Sequence, residues 1–235
     1  MRVAVIRFPG SNCDLDMMSS LRTIPGVQAK MVWHEDSISG GSFDAVVLPG
    51  GFSFADRLRA GAIAANSPVL AQVKTLAEKG MPVLGVCNGF QILVESGLLP
   101  GALLRNTALK FVCKWVDVRV ENANTSFTSR LRRGQVLSMP IAHGEGRFFL
   151  EPKELAQLEA RGLVAFRYCD PSGRVTKDSN PTGTLNNIAG VCNREGNVVG
   201  LMPHPERAAE ALLDPSGRRD GSLLLASFAG RGGRG

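Results

Sequence analysis

The chain has 235 residues, of which 44% are hydrophobic, and this is enough for one α/β domain with a substantial core. No apolar run reaches the length of a membrane-spanning helix, and the arginines near the first residue flank a predicted strand rather than a secretory signal. The formal net charge of +6 suggests a nucleic-acid partner, but the basic residues are scattered and no recognition motif accompanies them, so we predict neither nucleic-acid nor membrane binding.

Strand-like and helix-like patterns alternate along the first hundred residues. Buried strands are predicted at residues 3–8, 29–33, 45–48 and 83–86, and helices at residues 14–23 and 62–79. This order predicts the α/β class, with a doubly wound, mostly parallel sheet whose ligand site lies at the carboxyl ends of the strands.

The second half of the chain has a different pattern. Residues 110–120 alternate between apolar and polar side chains, which predicts an added antiparallel segment. Residues 168–190 are rich in Asp, Pro, Ser, Gly and Asn and predict a loop. We expect one domain over residues 1–229 and a disordered tail over residues 230–235.

The five cysteines contain no Cys-x-x-Cys pair, which argues against a zinc site and against a disulfide framework. We therefore predict no metal. Cys13, Cys113, Cys169 and Cys192 are interpreted as reduced thiols of a cytoplasmic protein.

Cys87 lies between an apolar run and a helix-like segment, and it has glycine two positions before and two positions after it. A nucleophile on a sharp strand-to-helix turn needs such flanks, since a Cβ there would collide across the turn. The helix that follows would favour the thiolate. The alternative is a small buried core cysteine, which is the common role of a lone cysteine after a strand.

His204 and Glu206 offer a base and its orienting acid. His204 precedes a proline, which favours extended backbone, and in an extended segment residues two apart project to the same side. Nucleophile, base and orienting acid are the three roles that acyl transfer requires. The alternative for His204 is a surface-loop histidine between two prolines.

The predicted strand at residues 45–48 runs into Pro49, Gly50 and Gly51. The backbone N–H groups of Gly51 and of Asn88, just after the predicted nucleophile, would form an oxyanion hole. The two glycines also predict a turn that a partner protein could deform easily. The alternative is an ordinary strand-ending turn.

Together these three elements resemble the class I (triad) glutamine amidotransferase family, in which Cys, His and Glu follow in this chain order. Longer motifs resemble one branch of the family, the glutaminase subunits of an ATP-dependent synthetase of purine biosynthesis. This resemblance covers residues 3 to about 229. The motifs that carry it occupy residues 49–53, 58–64, 85–91, 97–103, 111–115, 142–148 and 200–207.

The resemblance implies a flavodoxin-like fold that hydrolyses glutamine to glutamate and ammonia. In it Cys87 is the nucleophile, His204 the general base and then acid, and Glu206 its orienting partner. Gln91, His143 and Glu145 would line the glutamine pocket.

One segment departs from the family pattern. A tyrosine and a glycine are expected before Asp56, whereas this chain has Phe54 and Ala55. This departure lies in the loop that follows the predicted oxyanion turn.

The sequence contains neither a Gly-x-x-x-x-Gly-Lys-Ser/Thr loop nor a Gly-x-Gly-x-x-Gly motif after a strand. We therefore expect no cofactor on this chain, with ATP and magnesium bound by a separate synthetase subunit. The resemblance also implies a small bridging subunit, because 235 residues are too few for all three parts.

Two other functions fit parts of the pattern. A stand-alone cysteine hydrolase or peptidase of a related α/β fold would share Cys87 and His204, but it would not need Glu206. A non-catalytic regulatory subunit would keep the fold alone, and the intact set of three residues argues against it.

Overall fold

The computed structural model describes residues 1–38 and 41–228, so the predicted tail at residues 230–235 and the predicted domain end at residue 229 lie outside the described residues. The strands are β1 (Arg2–Arg7), β2 (Gln28–Trp33), β3 (Ala45–Leu48), β4 (Val83–Val86), β5 (Ala102–Leu104), β6 (Val112–Val120), β7 (Val136–His143), β8 (Arg147–Phe149), β9 (Val164–Cys169), β10 (Ile188–Cys192) and β11 (Val198–Leu201). The α-helices are α1 (Asp14–Arg22), α2 (Pro68–Glu78), α3 (Asn88–Glu95), α4 (Pro152–Ala160) and α5 (Asp220–Ser227).

The first half of the main sheet is parallel, with strand order β2-β1-β3-β4-β11. Its inner strands β3, β4 and β11 are buried at every position, as expected for strands that are covered on both faces. This is the flavodoxin-like order, and the predicted doubly wound α/β fold is confirmed. The carboxyl ends of these three strands lead directly into the predicted oxyanion turn, Cys87 and His204.

The second half of the main sheet is antiparallel, with β10, β9, β6 and β7 continuing outward from β11. The predicted antiparallel segment is confirmed at β6, and the antiparallel part is larger than predicted. Strands β9 and β10 are almost wholly buried, so they lack the apolar–polar alternation that revealed β6. A separate two-stranded sheet pairs β5 with β8.

The predicted helix at residues 62–79 is divided in two. A 3-10 turn covers Ala64–Asn66, and α2 starts only at Pro68. Ser67 is extended, with ψ of 152°, because the ring of the following proline disfavours helical backbone before it. Proline then suits the first turn of the new helix, where its missing N–H costs nothing.

One hydrophobic core spans both halves of the sheet. Phe90 of α3 stacks on Phe148 of β8 with ring centroids 6.2 Å apart, which ties the elbow helix to the small sheet. Among residues 1–38 and 41–228, no helix is both long enough and apolar enough to cross a membrane.

Candidate active site

Cys87 occupies a strained turn between β4 and α3. Its φ of 49° and ψ of −104° are unusual for a residue with a side chain, and such a backbone costs about 1–3 kcal/mol. The flanking glycines permit the turn: a Cβ on Gly89 would lie 1.9 Å from the Leu48 carbonyl oxygen, and one on Gly85 would lie 2.6 Å from the Gly89 carbonyl oxygen. This turn places the sulfur at the start of α3, where the N–H groups of the first helical turn have no partner within the helix.

His204 and Glu206 form a buried pair. His204 Nδ1 and Glu206 Oε1 lie 2.6 Å apart, and both residues are at most 2% exposed. Backbone bonds hold them, since His204 N–H donates to the Pro140 carbonyl and the Glu206 carbonyl accepts from the Ser20 hydroxyl. Glu206 therefore fixes the imidazole and leaves Nε2 as the reactive nitrogen.

The charges around His204 favour its protonated form. Burial alone would lower its pKa, but the Glu206 carboxylate and the Cys87 sulfur together hold the pKa well above its usual range. Across the described ranges 1–38 and 41–228, Nε2 has no hydrogen-bond partner. An imidazolium beside a thiolate is the arrangement that activates a cysteine nucleophile.

The turn at Pro49–Gly51 lies against the segment before α1. Phe52 N–H donates to the Gly10 carbonyl and Asn12 N–H to the Gly50 carbonyl, so a bridge forms between Ser11 and Gly51 that does not use the Gly51 N–H. Gly51 lines the cavity above Cys87. Its N–H and that of Asn88, at the first turn of α3, are the two groups expected to face an oxyanion.

Both glycines of this turn lie close to other groups, which the absence of a side chain permits. A Cβ on Gly51 would lie 2.7 Å from the Ser11 Cα, and a Cβ on Gly50 would lie 2.7 Å from the His204 ring. Glycine permits close approach to backbone at Gly51 and to the His204 ring at Gly50, and the predicted ease of deforming the turn stays a prediction. The bridge and these contacts brace the turn against the segment at residues 10–13.

A small cavity of about 160 Å³ opens beside Cys87, below the usual range for drug-sized ligands and suited to an amino acid. The predicted residues Gln91, His143 and Glu145 all line it. Gln91 Nε2 donates to the Glu145 carbonyl at 2.6 Å, and Gln91 Oε1 accepts from the Asn88 side chain at 2.9 Å. Gln91 thus ties α3 to the segment after β7.

His143 is 3% exposed, and within the described part of the chain neither of its ring nitrogens has a hydrogen-bond partner. Burial, with a smaller effect from His204, lowers the pKa of His143 to about 3, so its ring is neutral. Two buried ring nitrogens without a partner are unusual in a folded protein, and here they belong to a residue that lines the cavity.

Sequence reasoning missed Cys13 and Asp56 at this site. Arg207 Nη2 donates to the Cys13 sulfur at 3.2 Å, and the ligating atoms of Cys13, His204 and Glu206 lie within 4.8 Å of one another. This geometry could hold a metal ion, but the Arg207 cation and the short His204–Glu206 contact already engage these atoms. We interpret the group as a hydrogen-bonded network, and the absence of a metal stays a prediction.

The loop that departs from the family pattern is strained. Phe54, Ala55 and Asp56 have φ of 53°, 56° and 50°, in the left-handed region. Glycine adopts this backbone freely and alanine does not, so the glycine expected at position 55 has a physical reason. The turn directs Asp56 to the wall of the cavity. The one sequence signal that could have identified Asp56 as a site residue is its position shortly after Gly50 and Gly51.

Comparison with known proteins gives a consistent result. Residues 1–222 match the model of the CobB/CobQ-like glutamine amidotransferase domain. The chain is 53% identical over 229 residues to phosphoribosylformylglycinamidine synthase subunit PurQ of Moorella thermoacetica, covering 97% of this chain and 95% of the relative. It is 52% identical over 230 residues to subunit PurQ of Methanosarcina acetivorans, with 97% of each chain covered.

A solved structure is also similar to the chain. It is described as the structure of PurLQS from Thermotoga maritima, and it matches with a TM-score of 0.84 and 40% identity over 97% of both chains. The similarity extends over the parallel and the antiparallel half of the sheet alike.

Proposed function

The chain belongs to the CobB/CobQ-like glutamine amidotransferase domain family, and we propose that Cys87, His204 and Glu206 perform its glutamine hydrolysis. It acts as the glutaminase subunit of a phosphoribosylformylglycinamidine synthase, the branch that the sequence motifs resemble. The observation that carries the role of the triad is the buried His204–Glu206 pair, 2.6 Å apart, beside a cysteine on a strained elbow. We propose that the domain extends over residues 1–229.

The first half of the reaction forms a thioester. The Cys87 thiolate attacks the carboxamide carbon of glutamine, and the negative charge that develops on oxygen faces the N–H groups of Gly51 and Asn88. Protonated His204 then gives its proton to the leaving nitrogen. The C–N bond breaks, ammonia departs, and the glutamyl group stays bonded to the sulfur.

The second half of the reaction restores the enzyme. Neutral His204 takes a proton from water as the water oxygen attacks the thioester carbon, and the same N–H groups stabilise the second oxyanion. Collapse of this intermediate breaks the C–S bond and releases glutamate. Glu206 stabilises the imidazolium each time it forms, without itself taking the proton.

The ammonia is used on another polypeptide. We propose a separate synthetase subunit that binds ATP and magnesium and converts formylglycinamide ribonucleotide to formylglycinamidine ribonucleotide, with a small third subunit bridging the two. The description PurLQS of the similar structure supports a multi-subunit assembly. We also propose a cytoplasmic location, which five free cysteines suit.

Glutamine turnover by the purified chain, with and without the synthetase subunits, tests this proposal. We expect slow hydrolysis by the chain alone and a rate at least a hundredfold higher in the complex with ATP and acceptor, the size of effect that aligning one oxyanion donor produces. Equal rates would favour the stand-alone hydrolase. No turnover in either condition would favour a non-catalytic subunit.

A further inference from the structure

A chain of hydrogen bonds through two buried amide side chains joins the loop after the Pro49–Gly51 turn to helix α3. Ser53 N–H donates to Asn88 Oδ1 at 3.1 Å. Asn88 Nδ2 donates to Gln91 Oε1 at 2.9 Å, and Gln91 Nε2 donates to the Glu145 carbonyl at 2.6 Å. Asn88 is 1% exposed and Gln91 5% exposed. The chain therefore runs unbroken, away from water, from the loop through α3 to the segment after β7.

The backbone groups at the two ends of this chain determine how both amides are oriented. A backbone N–H can only donate, so the amide oxygen of Asn88 faces Ser53. A backbone carbonyl can only accept, so the amide nitrogen of Gln91 faces Glu145. The remaining nitrogen of Asn88 and oxygen of Gln91 then pair, because residues three apart lie on the same face of a helix. Asn88 thus accepts at one end and donates at the other, which neither a carboxylate nor an apolar side chain of its size could do.

The two proposed oxyanion donors lie on different elements, the Gly51 N–H on the turn after β3 and the Asn88 N–H at the start of α3. The Asn88 side chain binds the backbone N–H of Ser53, two residues past Gly51. Between them, Phe52 N–H donates to the Gly10 carbonyl at 2.9 Å, so the two N–H groups that follow Gly51 are both anchored. The residue that supplies one donor therefore also holds, through its side chain, the loop that supplies the other.

We propose that the Asn88 side chain is a positioning group that keeps the Gly51 and Asn88 N–H groups at the spacing an oxyanion requires. This inference rests on the proposed function and adds to it a side chain that acts through the backbone, since its amide is engaged at both ends. Misplacing a group at the reaction centre by about 1 Å costs up to about a hundredfold in rate. Because oxyanion donors bind the transition state more strongly than the substrate, that loss falls on kcat and not on KM.

The test measures glutamine hydrolysis by Asn88→Leu and by the wild type, each in the complex reconstituted with the synthetase subunits. Leucine is close to asparagine in size and forms neither bond. Ser53 is 2% exposed, so its N–H loses its acceptor and the loop must move to find another. We expect kcat to fall about ten- to hundredfold with KM little changed. The matched control is Ser96→Ala, which removes another buried hydrogen bond of α3, to the Leu93 carbonyl at 3.0 Å, and should leave both constants unchanged.

A second measurement separates alignment of the donors from damage to the elbow. In alkylation of Cys87 by iodoacetamide, the sulfur bonds to a saturated carbon as iodide leaves, so no oxyanion forms and the rate depends on the thiolate. Followed at Cys87 by peptide mass, this rate should be the same in N88L and the wild type.

If N88L does not fold, Asn88→Ala removes the same two bonds and takes its place. An unchanged kcat, a loss confined to KM, or alkylation that slows in parallel with kcat overturns the positioning role of Asn88. A wild type without glutamine turnover overturns the proposed function, and this inference with it.

Discussion

The parallel and antiparallel halves of the sheet meet at β11, and they contribute different things to the site. The parallel half supplies the reacting groups, since Cys87 and His204 follow the carboxyl ends of β4 and β11. The antiparallel half supplies His143 at the end of β7 and the Glu145 segment after it, which form the wall of the cavity. The reacting groups thus lie on the parallel half, while the antiparallel half contributes part of the cavity wall, and the two contributions should be separable by mutation.

The largest expected effect is on the parallel side, at the nucleophile. Cys87→Ala should reduce glutamine-dependent synthesis about a thousandfold or more, because members of a catalytic triad act as a unit. Synthesis from free ammonia should persist, because acceptor activation lies on the partner subunit. Both rates are measured on the reconstituted complex, with the exposed Cys113→Ser as control. Glutamine-dependent rates within a few-fold of wild type would refute the assignment of Cys87.

The next largest effect is expected at the orienting acid. Glu206→Gln should lower kcat about a hundredfold or more, since it removes the carboxylate that fixes the imidazole and stabilises its charge. A change confined to KM would contradict this role.

The same variant should change stability with a defined pH dependence. His204 has a raised pKa in the folded protein, so the stability from its charged pair with Glu206 is fully present below the unfolded pKa of about 6.5. That stability is lost as the pH rises through the higher folded pKa. The difference in unfolding free energy between wild type and E206Q should therefore shrink from pH 6 upward. A difference that grows with pH would contradict a raised pKa for His204 in the folded protein.

A smaller effect is expected on the antiparallel side. His143→Gln should reduce kcat/KM for glutamine about ten- to hundredfold, as for loss of a buried polar contact, mostly through KM. Because the pKa of His143 is lowered to about 3, its removal should leave the pH–rate profile unchanged between pH 5 and 9. A shifted profile would instead place His143 among the proton-transfer groups, and the separation of the two halves would fail.

The smallest effect concerns stability alone. Ala55→Gly should stabilise the protein by about 1 kcal/mol, because alanine is strained at a φ of 56° and glycine is not. The matched control is Ala71→Gly in α2, which should destabilise by about 0.5–1 kcal/mol. Thermal or denaturant unfolding measures both, and a destabilised A55G would show that this turn does not carry the inferred strain.

The sequence predicts those features that short stretches of chain determine. The elbow at Cys87 needs its two glycines within five residues, and the extended backbone before Pro205 places His204 and Glu206 on the same side. The parallel strands could be recognised because they are short apolar runs between helices. Such local steric rules need no knowledge of the rest of the fold.

The features of the site that could not be predicted from the sequence depend on contacts between residues that are far apart in the chain. Asp56 reaches the cavity through three consecutive left-handed residues, which no propensity predicts for Phe54 and Ala55. Cys13 approaches His204 and Arg207 only because the start of α1 folds against the Gly50 turn. Strands β9 and β10 are short apolar runs, and whether such a strand pairs in parallel or antiparallel depends on its neighbours in the sheet. His143 and Glu145 were found through a family resemblance and not through their own pattern.

The position of β11 has a consequence for how the chain is made. It comes last among the strands in sequence, yet it pairs with β4, whose residues are translated far earlier. Chains emerge from the ribosome N-terminus first, so Cys87 is synthesised well before His204. The triad can therefore be complete only in a chain that has already made β11 and paired it with β4. The strand that closes the parallel half of the sheet is thus also the one that brings the base to the nucleophile.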